Sequence, residues 1–64
     1  MDEWQQRLTD EFVELDMRLE KLHVFIEASE NFRRLPKVQQ RLLIDQRCIM
    51  VVYRDILKKR IALL

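Results

Sequence analysis

The sequence predicts an all-α protein: an antiparallel two-helix hairpin that self-associates, most simply into a dimeric four-helix bundle. Three observations lead there. Glycine is absent and Pro36 is the single proline, so the residues that tight strand hairpins depend on are missing. Apolar residues in the first half recur at helical spacing. After Pro36 the helical pattern returns, with more apolar circumference than one neighbouring helix can cover.

The first helix is expected over about residues 3–28. Leu8, Phe12, Leu15, Leu19, Leu22 and Ile26 follow alternating steps of four and three, the pattern of a helix packed along a seam. Trp4 extends that stripe backwards and Phe25 widens it at the far end. Asp2 and Glu3 suit the positive end of the helix dipole, and Glu3–Arg7 and Glu14–Arg18 are favourable pairs one turn apart.

A connection is expected over 29–35. Ser29 and Asn31 compete with helix by bonding their own backbone, and Pro36 pushes Leu35 towards extended backbone while offering itself as a first helical position. Phe32 and Leu35 are too apolar for a solvated loop and are expected to plug the end of the hairpin.

The second helix is expected over about 36–62, with Asp55–Lys59 as a further pair and Lys58, Lys59 and Arg60 at the negative end of its dipole. Val38, Leu42, Ile49, Val52 and Ile56 form one stripe; Leu43, Met50, Leu57 and Leu64 form another beside it. Helix one covers only one of them. The second, read with its polar neighbours as Leu43, Gln46, Met50, Tyr53 and Leu57, is expected to be the oligomer interface, and Ile44, Cys48 and Val51 leave a third, smaller patch. Gln46 and Tyr53 either fix register across that oligomer by hydrogen bonding or line a pocket in it, with Gln39 and Arg60 continuing their line.

In 64 residues there is room for one domain. The formal charge is +1, but residues 1–28 carry eight acids and three bases while 29–64 carry nine bases and three acids. An acidic helix lying against a basic one accounts for the asymmetry; a basic surface for an anionic partner is the alternative. The densest cluster is Arg33, Arg34, Lys37 and Arg41, with Glu30 as its nearest acid. Such a corner at a helix start is either solvated and paired with Glu27 and Glu30, or binds a partner or anion through bidentate bonds and free backbone N–H groups.

No enzyme is expected and no catalytic residue is assigned. Carboxylates such as Asp10 and Glu14 read as solvated charge, His23 as a partly exposed helix residue, and Cys48 as a buried small hydrophobe. One cysteine and one histidine cannot make a metal-binding set, so neither a metal nor a cofactor is expected. The longest apolar run, Cys48–Tyr53, is far short of the roughly 20 residues that span a membrane. With "MDEW" in place of a basic and then apolar leader, the chain reads as cytoplasmic, without membrane contact.

The segments "RLTDEFVELDMRLEKLHVFIEASENFRRL" and "LLIDQRCIMVVYRDILKKRI" resemble a family of very small helical proteins of tailed phages and prophages, related to a crAss-like phage protein. Leu15, Leu19–Leu22, Phe25, Ile26, Phe32 and Leu35 carry the likeness in the first half. Leu42, Leu43, Gln46, Met50, Tyr53, Ile56, Leu57, Arg60 and Ile61 carry it in the second. The resemblance implies an accessory phage product working in the host cytoplasm and brings no catalytic residues. The reading that follows is a non-enzymatic, homo-oligomeric interaction protein that binds a host protein stoichiometrically, as an anti-defence inhibitor. The alternative is a protein that binds or sequesters nucleic acid or an anionic nucleotide signal, though the near-neutral charge speaks against duplex DNA.

Overall fold

The computed structural model describes residues 2–64 and holds three helices, α1 (Glu3–Ala28), α2 (Glu30–Arg34) and α3 (Lys37–Ala62). Asp2 caps α1 from extended backbone, and its N–H donates to Gln5 Oε1 at 3.2 Å. The Glu3–Arg7 and Glu14–Arg18 pairs form along the exposed side of α1. Asp55 and Lys59 do not pair: among the described residues Asp55 makes no ion pair.

The connection is more structured than its composition implies. Ser29 ends α1 and immediately caps α2, its Oγ accepting from the Asn31 N–H at 3.2 Å, so the competition with α1 is resolved by starting a new helix rather than a loop. Phe32 is buried at 8 % exposure and meets Phe25 edge to face, ring centroids 5.9 Å apart at 81°. Leu35 is half-buried beside it. The plug therefore forms as expected. Pro36 stays extended and acts as the cap residue, so α3 begins one residue later than the proline rule places it.

The two long helices run antiparallel, as the cross-pairs show: Glu27, near the end of α1, meets Arg47, whereas Asp16 and Glu11, earlier in α1, meet Arg54 and Tyr53, later in α3. The core is a thin seam. Leu8, Leu15, Leu19, Phe32 and Leu57 are its buried residues, with Phe12, Met50 and Ile61 packed against it. Trp4, expected to prolong the stripe, is 54 % exposed because α3 ends before it can cover the start of α1.

On α3 the faces are exchanged relative to the sequence reading. Leu57 is 1 % exposed, and Leu43 and Met50 are half-buried, all against α1 within one chain. These three, expected at an oligomer interface, belong to the hairpin seam. The seam runs through Gln40, Leu43, Arg47, Met50, Arg54, Leu57 and Ile61, again in steps of three and four. Its polar members hid it. Cys48, expected to be buried, is exposed on the far side.

The stripe left uncovered is Val38, Leu42, Ile49, Val52 and Ile56, all at half exposure or more, with Ile49 at 69 %. The molecule measures 45 × 15 × 14 Å with a radius of gyration of 14.5 Å, against about 11 Å for a compact 64-residue chain. Its surface of 5219 Å² exceeds the roughly 4,400 Å² expected of a compact monomer of this mass. A two-helix rod has no second layer to turn inward.

Candidate functional site

The basic corner is built by the elbow between α2 and α3. Arg33 and Arg34 occupy the last turn of α2, Lys37 opens α3, and Arg41 lies one turn further on; all four are exposed. The elbow is held by Gln40, whose side-chain amide donates to the carbonyls of Arg33 at 3.2 Å and Leu35 at 2.8 Å. That clamp satisfies carbonyls at the end of α2 and ties them to the first turn of α3.

Electrostatically the corner is unbalanced. Arg34 pairs with Glu30 at 3.5 Å, whereas Arg33, Lys37 and Arg41 make no ion pair among the described residues. The first turn of α3 has no acid and no side-chain cap. Cations thus crowd the positive end of a 26-residue helix, where the dipole disfavours them and the first-turn N–H groups lack acceptors. A shallow hollow beside this turn is lined by Lys37, Gln40, Arg41, Ile44 and Asp45.

The acidic-against-basic reading also holds, but further along the hairpin. Arg47 Nη1 donates to Glu27 Oε1 at 2.7 Å and to His23 Nδ1 at 3.3 Å, and Arg54 Nη1 lies 3.1 Å from Asp16 Oδ1. The hydrogen bond and charge of Arg47 hold the Glu27 carboxyl below its ordinary range. Tyr53 donates to the Glu11 carboxylate, and that bond pushes the phenol above its ordinary value. The asymmetry therefore serves two ends: the middle of α3 spends its arginines on α1, and the elbow leaves its cations free.

The remaining expected interface residues are divided. Gln46 is exposed and its amide approaches Met50 Sδ at 3.8 Å, while Tyr53 is turned towards α1 by Glu11. The structure does not gather Leu43, Gln46, Met50, Tyr53 and Leu57 into one open surface. It instead opens an apolar hollow lined by Cys48, Ile49, Val52, Tyr53 and Ile56. The signal for it was present in the first stripe.

Among the described residues no group of three His, Cys, Asp or Glu side chains could hold a metal ion, and no helix is long and apolar enough to cross a membrane.

The chain belongs to the Sequestin family, whose model matches residues 2–63. No curated protein and no solved structure matches it.

Proposed function

From membership of that family we propose that the chain is a non-enzymatic sequestering protein that captures a small anionic ligand, of the class of nucleotide signals, and holds it without converting it. The family's name points to sequestration. The observation that carries the reading is the unrelieved positive field at the elbow: Arg33, Lys37 and Arg41 lack ion pairs among the described residues, beside uncapped amides of α3. Cations at that end of a helix oppose its dipole, and a phosphate seated there removes the conflict while accepting from free N–H groups. Arg33 and Arg41 supply planar forks for phosphate oxygens and Lys37 a point charge.

The phage resemblance gives this capture a setting: a phage-encoded product in the host cytoplasm that blunts a defence by withdrawing its signal. A second reading, stoichiometric binding of a host protein, is favoured by the exposed apolar stripe of α3. Calorimetric titration with a panel of mono-, di- and cyclic nucleotides, followed by recovery of the ligand from heat-denatured complex, tests the first. Saturation at a fixed stoichiometry with the ligand recovered intact supports sequestration. Conversion of the ligand refutes it, and binding to a host protein alone selects the second reading.

A further inference from the structure

The open positions of α3, Val38, Leu42, Asp45, Ile49, Val52 and Ile56, are separated by four, three, four, three and four residues. The series reads the same from either end. A helix face with that symmetry is self-complementary when a copy is laid on it upside down: Val38 comes opposite Ile56, Leu42 opposite Val52, and Asp45 opposite Ile49. Steps of three and four are those of knobs seating in the holes of a facing helix, and a surface that mates with itself through a twofold axis is the simplest closed contact.

We propose that this face is the docking surface for α3 of a second copy, packed antiparallel about a twofold axis at the level of Arg47. The flanks agree with the register. Arg41, Cys48 and Asp55 border the stripe on one side at seven-residue spacing, and neither Arg41 nor Asp55 makes an ion pair within the chain among the described residues. In the antiparallel register Arg41 meets Asp55 of the partner subunit twice, and Cys48 meets Cys48 of the partner subunit at the axis. On the other flank Gln39 comes opposite Tyr53 of the partner subunit, and Gln46 opposite its own copy. A parallel arrangement would set Asp45 against Asp45 in the seam, where like charges repel.

The surplus surface of the single chain is of the kind such a contact removes. The outer line of α1, Val13, Met17 and Val24, is also exposed, but it offers three apolar residues where the face of α3 offers five. At 3.6 residues per turn the open face lies about 140° around α3 from the seam with α1. The dimer is therefore an open four-helix layer whose crease is bordered by Gln46, Tyr53 and Arg60, in place of a closed bundle. Lys59 of the partner subunit reaches the axial level of each elbow on the flank of Arg41, so, with Arg41 turned to Asp55 of the partner subunit, the anion of the proposed function would be held by Arg33 and Lys37 of one chain and Lys59 of the partner subunit; that consequence alone rests on the sequestering reading.

The test uses the full chain without ligand. Sedimentation equilibrium is expected to show a dimer that Ile49→Glu converts to a helical monomer. Asp45→Leu, which removes a carboxylate from the seam, is expected to tighten association about tenfold or more, an effect no folding defect imitates. Reversal of charge at Arg41→Asp or Asp55→Arg alone weakens the dimer, the double reversal restores it, and a short bismaleimide joins two copies through Cys48. A monomer at sub-millimolar concentration, a trimer or larger ring, a dimer indifferent to Ile49→Glu, or a double reversal that restores nothing each overturns the proposal. Because no anion is present, failure here leaves ligand capture at the elbow to its own titration.

Discussion

Arg47 Nη1 lies 2.7 Å from Glu27 Oε1 across the hairpin, twenty residues away in sequence and opposite in charge. With Arg54–Asp16 at 3.1 Å, this pair sets the face that α3 turns to α1. Arg47 lies on the seam between Leu43 and Met50 in sequence, its side chain 23 % exposed, as a long side chain does when its stem is covered and its head stays partly wet.

The lowered Glu27 carboxyl makes the hairpin acid-sensitive in a defined direction. A carboxyl whose folded pKa is depressed contributes stability above its ordinary value of 4.5, and that contribution disappears as pH falls through the lower folded value. Thermal unfolding of the wild type and of Glu27→Gln is expected to differ at neutral pH and to converge as pH falls through the lowered folded value. Arg47→Met should abolish the difference at every pH, since the hydrogen bond and charge that cause the shift go with it.

Tyr53 works in the opposite sense. Its phenol is raised above 10.0 by the hydrogen bond to Glu11, so its contribution is present below that value and is lost as pH rises through the folded pKa. Tyr53→Phe should leave stability unchanged by alkali over the range where the wild type weakens. Absorbance titration of the tyrosinate reads the shift directly, and Glu11→Gln should bring it back towards the ordinary value.

Leu57 is the most buried side chain and Ile49 among the most open. Leu57→Ala should cost about 2–5 kcal/mol, enough to unfold most of a chain this small. Met50→Glu, which places a charge against the same core, should also unfold the hairpin. Circular dichroism with urea titration separates these from Ile49→Ala, whose effect on the single chain should be within about 0.5 kcal/mol.

At the elbow, Arg33→Glu, Lys37→Glu and Arg41→Glu combined should eliminate binding of the anionic ligand, chiefly by slowing association, with helicity retained. Arg34→Gln should matter least, because Arg34 already pairs with Glu30. Stopped-flow binding at two salt concentrations distinguishes loss of charge from loss of fold.

His23→Ala and Cys48→Ala should each leave the stoichiometry of capture intact. Neither residue lies at the elbow, and the proposed function asks no reactive group of them. Loss of function in a variant that keeps both its helicity and its association state would require chemistry at that residue and end the non-enzymatic reading.

Much of the architecture is legible in residue spacing. The seam of α1 was readable because its residues are uniformly apolar: Leu8, Leu15 and Leu19 are buried where their four-and-three steps put them. The Phe32 plug was readable because a phenylalanine in a polar connection has nowhere else to go. The basic corner could be named from composition, but not its imbalance, since the pairing of Arg34 and the freedom of Arg33, Lys37 and Arg41 depend on rotamers and on the clamp made by Gln40.

The face of α3 was not legible, for a physical reason. Two frames of three-and-four spacing coexist on that helix, one through Leu43, Met50 and Leu57, the other through Leu42, Ile49 and Ile56. Apolar content alone favours the second, because the first passes through Gln40, Arg47 and Arg54. Spacing therefore established two helices, their antiparallel order and a surplus of apolar surface, all of which follow from local periodicity and chain length. Which frame turns inward depended on partners twenty and more residues away, where Glu27 and Asp16 wait for Arg47 and Arg54. An arginine can lie on a seam when its stem packs and its head meets a carboxylate at the edge, and only the assembled hairpin brings the two together.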